Sequence, residues 1–257
     1  MEAKRLIIFL LIIVALLILG YTLQPRSTGK SVADASAKTE TAFVTRVVDG
    51  DTIHVDINGK EEIVRMLGIN TPEKKKPYYP EAKDFLIDNI ENKNVELLVD
   101  KEDIDRYGRK LRYVFYENRL INVEIVENGF ATTFMLDELS FSDKFVSAEK
   151  FAREYEKGLW KKSNDKCSKC ILFVSLNAVE DYFIIKNTCD FYCNLVNWSV
   201  KDDANHFFKL NSLKAGEEER YDTKKYLKLK EVWNDNGDRF FMRDSIGGLV
   251  IFYEYFS

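Results

Sequence analysis

Apolar and polar positions alternate over residues 42–48, 52–57 and 62–69, three short stretches rich in Val, Ile and Thr with Asp-Gly and Asn-Gly pairs between them. Period-two alternation marks half-buried strands and these dipeptides suit hairpin turns, so the pattern predicts a three-stranded meander. Over 80–92 the period lengthens: Ala82, Phe85, Leu86 and Ile90 fall on one helical face, and Pro80 suits a first turn. Strand patterns return at 95–99 and 111–116. Helical patterns follow at 120–128 and 142–157, with Gly129 and Gly158 as their C-terminal stops. Short strands in this number, with helices beside them, predict a small closed β-barrel of the oligonucleotide-binding (OB) type over residues 41–162.

Residues 163–257 read differently. Strand-like runs at 171–176, 182–187, 198–201, 207–210, 239–242 and 249–253 recur with no convincing helix, which predicts an all-β sandwich with Trp198 and Trp233 in its core. At the other end, residues 6–20 are uninterruptedly apolar behind Lys4 and Arg5. Extended through Tyr21 and Leu23, the run nears the lower limit for crossing a bilayer. It predicts a transmembrane or signal helix over 1–23, with the positive flank in the cytoplasm and the body outside. The rival is a cleaved secretory signal, for which Ala35-Ser36-Ala37 has suitable small residues. Residues 24–40, rich in Ser, Thr, Ala and charge, read as a flexible tether.

Composition narrows the chemistry. The chain has 257 residues, 46% hydrophobic and 31% charged, which excludes disorder, collagen and a multi-span membrane protein. A net charge of -4 gives no global basic field, so any phosphate chemistry must be local. Only His54 and His206 are present, which leaves little material for a Ser-His-Asp triad or a His-rich zinc site. Carboxylates and arginines remain as the catalytic candidates. The four cysteines, Cys167, Cys170, Cys189 and Cys193, stand at the two ends of a predicted hairpin, where two disulfides or one Cys₄ zinc site would close the sandwich entrance. An outward-facing location favours disulfides.

In Ile63-Val64-Arg65-Met66-Leu67 a cation interrupts an apolar row, which is costly unless an anion meets it. An ion pair with a nearby Asp or Glu and a site for a bound anion both satisfy that need. Asp49-Gly50-Asp51 is a turn signal, Glu73 a loop carboxylate beside Lys74 to Lys76, and Arg109 a turn residue after Asp105-Arg106-Tyr107-Gly108.

Taken in order, Arg46-Val47-Val48-Asp49-Gly50-Asp51-Thr52, Val64-Arg65-Met66-Leu67-Gly68-Ile69-Asn70-Thr71-Pro72-Glu73 and Asp105-Arg106-Tyr107-Gly108-Arg109 resemble the three active-site motifs of the staphylococcal nuclease (thermonuclease) family. Gly158-Leu159-Trp160 resembles the end of that family's domain, so the likeness spans 42–162. It implies a calcium-dependent endonuclease cleaving DNA and RNA with little sequence preference. Asp51 would bind Ca²⁺ by carboxylate, Thr71 by its main-chain carbonyl and Asn70 by its side chain. Asp49 would support Asp51 from behind. Glu73 would activate the attacking water, Arg65 and Arg109 would hold the phosphate, and Lys74, Arg106 and Tyr107 would contact substrate. Two departures stand out. Asn70 replaces a second aspartate ligand, so calcium affinity should fall, and Thr132-Thr133-Phe134-Met135 lies where the family carries a stacking tyrosine. Tyr78, Tyr79, Tyr107 and Phe134 are the replacement platforms.

Glu180-Asp181-Tyr182-Phe183-Ile184-Ile185-Lys186-Asn187, Trp198-Ser199-Val200-Lys201-Asp202, Val232-Trp233-Asn234-Asp235-Asn236-Gly237-Asp238 and Asp244 to Gly248 resemble the lamin-tail domain, an immunoglobulin-like module. That likeness implies a binding or targeting role with an unspecified ligand. The expected protein is thus a monomeric nuclease, membrane-anchored or secreted, with calcium as cofactor and structural zinc as the alternative to disulfides. Its rival is a catalytically silent nucleic-acid or surface-polymer binder on the same two domains, motivated by Asn70 and the missing tyrosine. Retention of Arg65, Glu73 and Arg109 argues against that rival.

Overall fold

Strand β1 (Thr39–Val47) pairs antiparallel with β2 (Thr52–Ile57), and β2 with β3 (Lys60–Met66), so the hydrophobic alternation forms the expected meander. These relations come from a computed structural model that describes residues 39–135, 138–228 and 231–256. The apolar run at 6–20 and most of the tether lie outside the described residues. Among those described, no helix is long and apolar enough to cross a membrane. Among the described residues, Thr39 and Glu40 already belong to β1, and Glu40 accepts from the buried Arg112 at 3.0 Å.

The meander continues through β5 (Asn94–Leu98), paired with β1, to β6 (Lys110–Tyr116). Parallel pairing of β3 with β6, Val64 opposite Lys110, closes five strands into a barrel. Between β3 and β5 lies α1 (Tyr79–Ile90), with Pro80 in its first turn and Ala82, Leu86 and Ile90 buried against the barrel. The short strand β7 (Arg119–Leu120) precedes α2 (Ile121–Glu127), so the expected helix at 120–128 begins one residue late. Helix α3 (Ser142–Glu154) follows.

Two expectations fail for steric reasons. Residues 62–69 are not one strand. The chain turns at Leu67–Gly68 because Gly68 has φ +77°, and a Cβ there would lie 2.6 Å from the Phe145 ring. After that turn β4 (Ile69–Asn70) pairs with β8 (Thr132–Thr133) as a separate two-stranded ribbon. Gly158 does not stop a helix either. It opens a 3₁₀ turn (Gly158–Trp160) four residues after α3 ends, and its backbone touches that of Gly129. A Cβ at Gly129 would meet Lys157 O at 2.2 Å, and one at Gly158 would meet Gly129 O at 2.3 Å.

The turn after β3 is held from inside. Asn122, fully buried on α2, accepts from Val114 N at 2.8 Å and donates to Leu67 O at 2.9 Å and Arg112 O at 3.2 Å. Asn122→Leu removes all three bonds and leaves buried main-chain groups unpaired, so urea unfolding should show a loss of about 3 kcal/mol. A loss below about 1 kcal/mol would show that the turn does not depend on it.

The C-terminal part has two sheets. One has the order β13-β10-β9, with β9 (Ile171–Asn177), β10 (Tyr182–Asn187) and β13 (Glu218–Asp222); the other is β12-β11-β14-β15, with β11 (Ser199–Lys201), β12 (Phe207–Lys209), β14 (Gly237–Arg243) and β15 (Leu249–Phe256). They share a core in which Phe183 of one sheet meets Phe208 and Phe240 of the other, with Trp198 and Trp233 buried beside them. The pattern reading missed β13, whose Glu-Glu-Arg-Tyr-Asp sequence is an edge strand with little apolar signal. It also missed the short helix α4 (Thr223–Leu227), capped where Asp222 accepts from Lys225 N at 3.1 Å. Disulfides join Cys167 to Cys193 and Cys170 to Cys189 across the β9–β10 hairpin end, with Cα separations of 5.7 and 5.3 Å.

Barrel and two-sheet unit are packed together rather than strung apart, and from residue 38 onward they form one compact unit. Trp160 packs edge-on against Phe252, ring centres 5.1 Å apart, and against Phe241. Lys161 O accepts from Leu249 N at 2.8 Å, and Ser163 N donates to Leu249 O at 2.9 Å, so the connecting segment meets the start of β15 in a single parallel bridge.

Candidate active site

Asp51 sits just before β2, buried, with both carboxylate oxygens hydrogen-bonded. Oδ1 accepts from Thr52 Oγ1 at 3.0 Å, and Oδ2 from Thr71 Oγ1 at 3.0 Å and Thr71 N at 3.2 Å. Arg65 stands opposite Thr52 in the β2–β3 ladder, which brings its guanidinium within 3.2 Å of Asp51 Oδ2. The same side chain donates to Met66 O at 2.6 Å and Ile69 O at 2.8 Å, so its fork is fixed across the turn that Gly68 permits. Of the alternatives left open for Arg65, the ion pair with a nearby carboxylate is present, and the side chain also lines a cavity.

That cavity, of about 560 Å³, is lined by Arg65, Arg109, Arg106, Tyr107, Phe134 and Met135 among others. Asp105 organises its far wall. Its Oδ1 accepts from Tyr107 N and Arg109 N, each at 2.9 Å, and its Oδ2 from Arg109 Nε at 2.7 Å. Burial raises the Asp105 carboxyl, yet these bonds to Arg109 and Tyr107 outweigh burial and leave it below the usual range. Tyr107 is 68% exposed and lies beneath both Arg106 and Arg109, at 4.8 and 5.4 Å from its ring centre. A flat aromatic face flanked by two guanidinium groups suits a base with its attached phosphate.

Asp49 accepts from Asp51 N at 3.2 Å. Burial, and then the neighbouring Asp51 charge, push its carboxyl up to about 6. Thr71 joins Asp51 directly, whereas Glu73 and Lys74 are exposed on the turn that follows, and among the described residues the Glu73 side chain has no bonded partner. Asn70 faces elsewhere. Its Nδ2 donates to Asp203 O at 2.9 Å and its Oδ1 accepts from Asn205 Nδ2 at 3.2 Å, both in the β11–β12 loop of the two-sheet unit. Lys76 lies 3.6 Å from the centre of the Phe207 ring.

The pattern reading did not anticipate these residues of the two-sheet unit. Arg239, buried in β14, donates to Asp203 Oδ1 at 2.7 Å, to Glu149 Oε2 at 2.8 Å, to Thr133 Oγ1 at 3.2 Å and to Thr133 O. Although burial opposes its charge, Glu149 and Asp203 hold the guanidinium charged well beyond the usual range. A signal was there: Arg239 breaks an apolar strand just as Arg65 does.

The profile described as "Staphylococcal nuclease homologue" matches residues 63–162. A thermonuclease of Staphylococcus hyicus is 34% identical over 159 residues, 59% of this chain and 94% of the relative. A thermonuclease of Staphylococcus intermedius is 32% identical over 163 residues, 61% of this chain and 96% of the relative. An endonuclease of Bacillus subtilis is 33% identical over 127 residues, 46% and 60% of the two chains.

Proposed function

Because this chain belongs to the staphylococcal nuclease family and is a nuclease, we propose that it is a calcium-dependent, extracytoplasmic endonuclease cleaving DNA and RNA with little sequence preference. The observation that carries the reading is the convergence of Arg65 and Arg109 on one cavity, with Asp51 paired to Arg65 behind it. A phosphodiester anion repels an attacking hydroxide until cations neutralise it, and two guanidinium forks already fixed by Asp51 and Asp105 do so with little reorganisation. Tyr107 and Arg106 offer a stacking face and a phosphate contact, and Lys74 a further charge. Glu73, free of side-chain partners among the described residues, orients and deprotonates the attacking water.

The donor set fits calcium. Asp51, with Asp49 behind it, and the Thr71 carbonyl are hard oxygen donors of the kind calcium takes. Calcium, when bound, neutralises phosphate charge and eases deprotonation of a water.

The two-sheet unit is read as an immunoglobulin-like sandwich of the lamin-tail kind that binds a partner still to be identified. Two features support an outward location. The apolar run at 6–20 follows Lys4 and Arg5, and the cysteines pair as disulfides, which persist in oxidising compartments.

The decisive experiment incubates the purified protein with single-stranded DNA or RNA, with millimolar calcium or with chelator, and follows the products on a gel. Cleavage of both nucleic acids only with calcium is expected. Retarded but intact strands would overturn the reading and leave a binding protein.

A further inference from the structure

Asn70 stands where the nuclease motif leads into Thr71, yet its side chain is held entirely by the two-sheet unit. A chain of bonds runs from Lys201 Nζ to Asn205 Oδ1 at 2.9 Å, from Asn205 Nδ2 to Asn70 Oδ1 at 3.2 Å, and from Asn70 Nδ2 to Asp203 O at 2.9 Å. Its two ends dictate its polarity. Lys201 can only donate and a main-chain carbonyl can only accept, so both amides have one satisfactory orientation. An aspartate at position 70 has no proton to give to Asp203 O and would set two oxygens against each other, which gives a physical reason for asparagine here.

The grip extends to both strands of the ribbon. Asn70 pairs with Thr132 and Ile69 with Thr133, and Arg239 of β14 holds Thr133 through its carbonyl and hydroxyl oxygens. Arg239 also clamps the Asp203 carboxylate from Nε at 2.7 and 2.8 Å, while Asp238 Oδ1 accepts from Asp203 N at 3.2 Å. The β11–β12 loop is thus fixed from behind before it reaches Asn70.

We propose that the C-terminal two-sheet unit is a working part of the nuclease: Asn205 and the Asp203 carbonyl are positioning groups that set the Asn70–Thr71 segment for calcium, so that docking of this unit and metal binding are coupled. The proposal rests on the calcium reading above. The Asn70 side chain faces the β11–β12 loop, so what this grip places for the cation is the adjoining Thr71 carbonyl. Groups that orient a ligand in this way typically change metal affinity by about tenfold or more when removed.

The test is a double-mutant cycle in the full chain. Asn205 has φ +65°, so Asn205→Gly removes its side chain without backbone strain, and Asn205→Asp keeps the shape while replacing the donor by an acceptor. Each is combined with Asn70→Ala. Two quantities are read: the melting temperature without metal, which reports docking alone, and the calcium Kd by titration calorimetry. In the Asn70 background, both Asn205 variants should lower the melting temperature by about 3 °C and weaken calcium binding about tenfold. In the Asn70→Ala background the Asn205→Asp effects should shrink to near zero, while Asn205→Gly keeps the part owed to its bond with Lys201. Asn205→Asp effects that persist in that background would overturn the proposal, because Asn205 would then act by another route. An unchanged melting temperature would overturn the docking contact whatever calcium does. Normal docking coupling in a protein that binds no calcium would instead sink the calcium reading, and the metal coupling with it.

Discussion

Glu73→Gln should lower kcat by about 10²- to 10⁴-fold while changing the affinity for DNA little. The carboxylate lies on the exposed turn after Thr71, outside the arginine-lined cavity wall, so removing its charge leaves Arg65, Arg109 and their partners Asp51 and Asp105 in place. Glutamine keeps the shape and can still accept a hydrogen bond from water, but it cannot take the proton. Steady-state rates at saturating DNA, with filter-binding Kd measured beside them, separate the two roles. A variant with full turnover would sink the assignment of Glu73 as base. Loss of affinity with kcat intact would assign Glu73 to substrate contact instead.

Arg239→Ala should destabilise the protein by about 3–5 kcal/mol, the usual consequence of removing one member of a buried ionic network. Arg239 and Glu149 are both almost wholly enclosed, with side-chain exposures of 8% and 10%, and Asp203 is 22% exposed. Without the guanidinium, Glu149 keeps only its bonds to Thr133 N and Oγ1, and the Thr133 carbonyl loses a donor at the junction. Urea unfolding gives the loss directly. A change below about 1 kcal/mol would show that the junction does not rest on this network. Arg239→Lys should recover only part of the stability, since a single ammonium cannot span Asp203, Glu149 and Thr133 together.

The motifs around Asp51, Arg65 and Arg109 were legible in the chain because each is local. Arg65 interrupts an apolar strand, Asp105 and Arg109 belong to one turn, and Asp51 follows a turn glycine. The core strands were legible for the same reason, since alternation is a property of neighbouring residues. The charged edge strand β13 and the break at Gly68 were not. The first carries too little apolar signal, and the second depends on Phe145, 77 positions away along the chain.

By itself, then, the sequence determined a closed barrel bearing two arginines and a carboxylate-rich turn, and a second, β-rich part with four cysteines gathered at one hairpin end. Periodicity and short motifs encode those features within a few residues. Only the tertiary structure decided that the second part grips the first, through Asn70 with Asp203 and Asn205, and Arg239 with Thr133 and Glu149. Those partners stand 90 to 135 positions apart, and no local pattern specifies which buried arginine meets which distant carboxylate. That choice belongs to the packing of Trp160 on Phe241 and Phe252, which sets the two parts in register and brings the polar groups within reach of one another.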